Sequence, residues 1–360
     1  MAALVLLGEL LLWMSGFNYI PPDAGFRITP EYGIFRIEGE NYKTKKEKLD
    51  SFRDQSFPVK KNKNEVRIFI FGGSSIYNLD KADVLENKLR DISAGKVIRI
   101  INFGGNSYGT SRLLLSFQEA LSYEPDIMLL YSGHNEFEEQ FIEKIVERNS
   151  PLKRINDILL EQSRIYQLLS FGIQKTETVF VRKVVNLKVA GKIPFFPSAT
   201  RVSWGIDYDE AAKKYVYQRY RKNILKMISL AGKNHIKMAI STVAYNRVFS
   251  PFKDQTMNSK KGLELYGKGK YNEALVFLEA GLDGDLQPHR ASRITNAIVR
   301  NISERTKTPL VDVDKAICLA AEHGIPGQDL FTDHCHLNEK GNIILQELFY
   351  LAIKNNRMLE

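Results

Sequence analysis

Hydrophobic positions fall into short unbroken runs separated by longer segments with helical spacing. Val66–Ile70, with Phe71, is the first such run, and its lack of strict alternation predicts a central parallel strand buried on both faces. Similar runs follow at Val97–Phe103, Asp126–Tyr131, Ile236–Val243 and Pro309–Val313. Between and after them, helical patterns are expected at Lys81–Ser93, Ser111–Ser122, Arg219–Ala231, Arg290–Arg305 and Glu339–Ile353. Strand, helix and strand within about forty residues make a right-handed βαβ unit. Five βα units predict an α/β fold: a three-layer α/β/α sandwich on a five-stranded parallel, flavodoxin-like sheet, carrying a mostly helical insertion.

The same pattern divides the chain. Residues 1–17 are almost wholly apolar, interrupted by Glu9, and read as a membrane anchor or signal-anchor helix, although a span needs about 20 such residues. That reading places the body of the protein outside the cytoplasm, tethered to the membrane. Residues 18–64 read as a polar linker and 65–360 as the main domain. Two excursions leave that domain: a helical cap at about 138–218, and a tetratricopeptide-like helical hairpin at about 258–283. The hairpin is marked by Gly267, Tyr271, Ala274, Phe277 and Ala280. One such unit cannot build a solenoid, so it is expected to pack on the core, with recruitment of a protein partner as the sharper role.

Composition changes little in this picture. The chain has 360 residues and a formal net charge of +9, with basic clusters at Lys43–Lys48 and Lys60–Lys63. No nucleic-acid-binding signature accompanies the charge, so nucleic acid is not expected as a partner. Two cysteines, Cys318 and Cys335, make no disulfide framework.

Chemistry enters at the strand ends, where open α/β sheets bind their ligands. The first run stops at Gly72-Gly73-Ser74-Ser75, the second at Asn102–Thr110 with Gly104 and Gly105, and the third at Ser132-Gly133-His134-Asn135-Glu136. A serine on a glycine turn can help cradle a phosphate or act as a nucleophile. The glycine spacing matches neither phosphate-binding fingerprint. A fourth loop at the same sheet edge carries Asp333 and His336, three residues apart, which suits a carboxylate orienting an imidazole towards Ser74. Within this loop His334 is the alternative base and Cys335 the alternative nucleophile. His334 and His336 with Asp333 and Cys335 also suggest a metal site, though neither a metal nor a cofactor is expected. Arg290, at the start of the fourth expected helix, is a candidate contact for an anionic substrate group.

These four blocks, in this order, resemble the SGNH (GDSL-type) hydrolases, specifically a membrane-tethered bacterial branch with a tetratricopeptide-like insert. The resemblance spans Val66–Ile353. It implies a Ser74, His336 and Asp333 triad acting on esters, supported by Gly72, Gly73 and Gly133. It also implies an oxyanion hole made by the Ser74 N–H, a second-block N–H and the Asn135 amide. Counting from Asn102 puts Ser107 at the second-block position, with Gly104 or Gly105 as alternatives. Gly73 stands where the family usually has aspartate, and Glu136 where its third block often does. The function implied is a serine-dependent ester hydrolase working through an acyl-serine on a small-molecule or glycan ester. The alternatives are an acyltransferase on envelope glycan with the same triad, and a catalytically idle module that binds glycan or a protein partner.

Overall fold

The computed structural model describes residues 2–15, 33–79, 83–140, 163–166, 168–169, 207–250, 253 and 256–360. The chain forms two compact units, residues 1–33 with 142–202 and residues 34–141 with 203–360. Most of the expected cap, and residues 18–32 of the expected linker, lie outside the described residues.

In the first unit the apolar helix α1 (Ala2–Met14) exposes Leu6, Leu11, Trp13 and Met14. Glu9 accepts hydrogen bonds from the backbone N–H groups of Arg164 (2.7 Å) and Ile165 (3.2 Å), capping the turn that starts there. Among the described residues no helix is long and apolar enough to cross a membrane.

The second unit opens with a surprise. Residues 33–64, which read as linker, form an antiparallel meander of β1 (Phe35–Glu38), β2 (Asn41–Thr44) and β3 (Ser56–Pro58). Its inward residues Ile34, Phe35, Phe52 and Phe57 join the main core, with Phe35 edge-on to Phe103 at 5.6 Å. Arg67, fully buried in the next strand, reaches back to the Pro58 carbonyl at 2.8 Å and ion-pairs with Glu65 at 2.9 Å.

The sheet behind the meander contains β4 (Glu65–Gly72), β5 (Val97–Gly104), β6 (Ile127–Tyr131), β7 (Lys237–Ser241) and β8 (Leu310–Val311). All pairings are parallel, in the order β5-β4-β6-β7-β8. Every residue of β4 is buried, as its unbroken apolar run predicts. Alternate residues of β4 feed opposite cores, which establishes three layers. Ile68 and Ile70 face α3 (Asp83–Ile92), α9 (Val313–Ala320) and α10 (Glu339–Asn355) through Leu85, Leu89, Ile317, Leu345 and Phe349. Phe69 and Phe71 face α4 (Thr110–Ala120), α5 (Glu210–Lys233) and α8 (Arg293–Thr306) through Phe117, Ile224, Met227 and Ile298.

Helix α5 begins nine residues before the expected Arg219, because Asp209 caps it by accepting from the Ala212 N–H at 2.7 Å. Strand β8 is shorter than expected: Asp312 leaves the sheet to cap α9, which the sequence pattern did not suggest. Helices α6 (Asn258–Gly267) and α7 (Tyr271–Asp283) pack as a hairpin at a distance only glycine permits. A Cβ on Gly262 would lie 2.8 Å from the Leu278 backbone nitrogen. Arg247 ties the hairpin to the core, bonding Glu279 at 2.6 Å and Asp314 at 2.8 Å.

Candidate functional site

Strand order reverses at β4, so the carboxyl ends of β4 and β6 flank the crevice where open sheets take ligands. Gly72 pairs with Tyr131 across that end. The chain then turns into α2 (Ser74–Tyr77), a single helical turn that places Ser74 first, with its own N–H lacking an intrahelical acceptor.

The loop before α10 delivers the other half of the site. His336 Nε2 lies 2.7 Å from Ser74 Oγ, and His336 Nδ1 lies 2.6 Å from Asp333 Oδ2. The second carboxylate oxygen, Asp333 Oδ1, accepts the backbone N–H groups of Cys335 (2.9 Å) and His336 (2.8 Å). This Asx-turn folds the carboxylate back over its own loop and fixes its aim. A bridge between Phe331 and Leu337 closes the loop, as does the Thr332 N–H to the His336 carbonyl (2.9 Å).

Asn246, beyond the end of β7, clamps the loop from outside. Its backbone N–H donates to the His334 carbonyl (3.1 Å) and its side-chain amide to the Asp333 carbonyl (2.9 Å). Arg290 in turn braces Asn246. It is 4 % exposed and donates to the carbonyls of Asn246 (2.8 Å) and Ser250 (2.9 Å), with burial pushing it down to about 10. Neither role is visible in sequence, because each depends on a carbonyl distant along the chain.

Charge in the site is set by close contacts. Burial alone would raise the Asp333 carboxyl, but the bonds from His336 and the two amides outweigh it and hold Asp333 well below the usual carboxylate range. The Cys335 sulfur, 3.8 Å from His336 Nδ1, and the Asp333 carboxylate together push His336 upwards against burial. They therefore favour the imidazolium form of the ring.

The third block reaches the crevice through Asn135, whose amide nitrogen donates to the Tyr108 carbonyl at 3.1 Å and, among the described residues, keeps one hydrogen in reserve. Gly133 approaches Thr295 and Val243 so closely that a Cβ would lie 2.8 Å and 3.0 Å from their methyl groups. His134 accepts from the Ala291 N–H at 3.1 Å, and burial lowers it to about 3, so the ring is neutral.

In the second block, a backbone inventory separates the candidates. The Gly104 N–H donates to the Asn102 side chain (2.7 Å), and that of Gly105 to the Gly72 carbonyl (2.9 Å). The Asn106 N–H goes to Ser51 (3.0 Å), that of Tyr108 to Gly105 (3.1 Å), and that of Gly109 to Glu139 (3.2 Å). Ser107 is left over: among the described residues its N–H finds no acceptor, and its φ of 60° is left-handed.

Behind these donors, two carboxylates cap α4. Glu139 accepts from the N–H groups of Gly109, Ser111 and Arg112 and from the Arg112 guanidinium at 2.8 Å. Glu136 accepts from the Thr110 N–H (3.1 Å) and hydroxyl (2.6 Å), and burial, with Glu139 beside it, pushes it up to about 8. Glu136 thus ties the third block to the second.

The sequence matches no family model and no curated protein. Among solved structures, similar chains include a GDSL-like lipase from Bacteroides thetaiotaomicron, with 13 % identity, a TM-score of 0.41, and coverage of 83 % of this chain and 93 % of that one. An acetyl xylan esterase aligns with 13 % identity and a TM-score of 0.44, covering 80 % of this chain and all of the other. An acetylxylan esterase from Geobacillus stearothermophilus aligns with 13 % identity and a TM-score of 0.41, covering 80 % and 94 %. At such scores the functional reading rests on this chain's own side chains.

Proposed function

We propose that the protein is a serine-dependent ester hydrolase working through an acyl-Ser74 intermediate. The observation that carries this reading is the unbroken hydrogen-bond series from Ser74 Oγ through His336 to Asp333. Ser74 Oγ attacks the ester carbonyl while His336 Nε2 takes its proton, and Asp333 steadies the imidazolium. The oxyanion is received by the N–H groups of Ser74 and Ser107 and the spare Asn135 amide hydrogen. Collapse expels the alcohol, which takes the proton from His336. Water then attacks the acyl-serine with His336 again as base, releasing the acid and restoring Ser74. The substrate class is a small-molecule or glycan ester. We also propose attachment to a membrane at the cell envelope, supported by the exposed apolar side chains of α1.

The test is turnover of p-nitrophenyl acetate together with fluorophosphonate labelling of wild type, Ser74→Ala and His336→Ala. Labelling confined to the wild type is expected. A wild type that neither turns over nor labels overturns the enzyme reading, and labelling that survives Ser74→Ala overturns the choice of nucleophile. Adding a sugar acceptor and assaying acylated sugar against free acid separates transfer from hydrolysis.

A further inference from the structure

The loop that carries Asp333 and His336 holds a second constellation, which shares Asp333 with the proposed reaction and adds two side chains that the reaction does not use. A carboxylate oxygen of Asp333, an imidazole nitrogen of His334 and Sγ of Cys335 all lie within 4.8 Å of one another. His334 Nδ1 is 3.7 Å from Asp333 Oδ1. In a tetrahedral zinc site, bonds of about 2.0–2.3 Å leave neighbouring ligand atoms roughly 3.3–3.8 Å apart. The three donors need to contract by about 1 Å or less.

We propose that Asp333, His334 and Cys335 form a binding site for a borderline-soft divalent cation of the zinc class, and that its occupancy switches off the neighbouring triad. The donor set decides the class of ion. Thiolate with imidazole suits zinc or cobalt, whereas magnesium and calcium prefer oxygen alone. The thiol proton is released to solvent as the metal–sulfur bond forms, and no redox change occurs.

Three features make the group more than adjacent residues on a coil. The backbone is already clamped by the bridge between Phe331 and Leu337 and by both bonds from Asn246, so little ordering is needed on binding. Access is graded: the side chains of Asp333 and His334 are 24 % and 15 % exposed and Cys335 is 3 % exposed, so an ion arrives past the first two and meets sulfur as the inner ligand. Finally, Asp333 is shared. The carboxylate that would bind the ion is the one that holds His336 Nδ1 at 2.6 Å, so a cation there takes away the charge that supports the imidazolium. The switching part of this proposal rests on the hydrolase reading above, whereas the binding part does not.

The experiment titrates full-length, metal-free protein with Co2+, reading the thiolate-to-cobalt absorption band, and with Zn2+ in competition with a chromophoric chelator. Wild type, Cys335→Ser and His334→Gln are compared, with folding checked by circular dichroism. One ion per chain is expected, with the band absent from Cys335→Ser and affinity lowered by about tenfold or more in His334→Gln. Fluorophosphonate labelling is read in parallel as the ratio with and without zinc, and is expected to fall by about tenfold or more in wild type and recover with EDTA, while the ratio in Cys335→Ser stays near one. A wild type without the band, or zinc binding undiminished in both variants, overturns the site. Zinc binding that leaves wild-type labelling intact overturns the switch. If metal-free wild type does not label at all, the hydrolase reading falls and takes the switch with it, while the cobalt band still decides the site.

Discussion

A Cβ placed on Gly73 would lie 2.3 Å from the side-chain amide nitrogen of Asn135. It would also lie 3.2 Å from the Tyr108 carbonyl that this amide bonds. The missing side chain is therefore the space in which the third block sits. Any residue larger than glycine at 73 must push the Asn135 amide aside. Gly73→Ala should lower kcat on p-nitrophenyl acetate by about 10²–10³-fold, the loss typical of one oxyanion donor. Asn135→Ala should do the same, and the double variant should be little worse than either alone. Additive losses would break the link between the two residues.

Asp333 makes one bond to His336 Nδ1 and accepts two backbone amides. Asp333→Asn keeps the size but turns the preferred imidazole tautomer the wrong way. We expect kcat to fall by about 10³–10⁴-fold with KM little changed. Circular dichroism should report an intact fold. A loss under tenfold would mean that Asp333 does not orient the base.

Ser107→Gly tests whether its backbone or its side chain matters. Glycine accepts the left-handed φ of 60° without strain and keeps the N–H. Activity should stay within about threefold of wild type, against the roughly 10²-fold or larger loss expected if a donor were removed. A collapse of kcat would assign the hydroxyl a part in the reaction.

Glu136 makes stability depend on pH. Its folded value of about 8 lies above the ordinary 4.5, so the folded chain holds a proton that the unfolded chain releases. The resulting stability is fully present below about pH 4.5 and is lost as pH rises through about 8. Glu136→Gln stays neutral throughout. Urea midpoints should therefore show wild type losing ground to the variant from pH 5 to 8, by at most about 1.4 kcal/mol per pH unit, and levelling off above. Parallel curves would mean that Glu136 is ionised across the whole range.

The sheet could be read from the chain because β4, β5 and β6 announce themselves as largely apolar runs leading into glycine or small polar residues. The pairing of Ser74 with Asp333 and His336 was legible for a similar reason, since sheet topology sends all strand ends to one edge. The meander at 33–64 was not. Its strands have three or four residues, and β1 and β2 each bury only one of them, so charged outward positions dominate the pattern. Choosing among Gly104, Gly105 and Ser107 needed to know where the Gly72 carbonyl and the Asn102 side chain lie, and neither is encoded in local spacing. Asn246 and Arg290 act through carbonyls, which carry no residue identity to be recognised.

Asp333 and His336 come from one self-contained turn, while their partner Ser74 is 262 residues away from His336. During synthesis Ser74 emerges 262 residues ahead of the imidazole that it bonds. A chain cut before Asp333 would therefore carry Ser74 without that hydrogen-bond partner. Reactivity towards a fluorophosphonate would report in a single measurement that the turn after β4 and the loop before α10 have found each other.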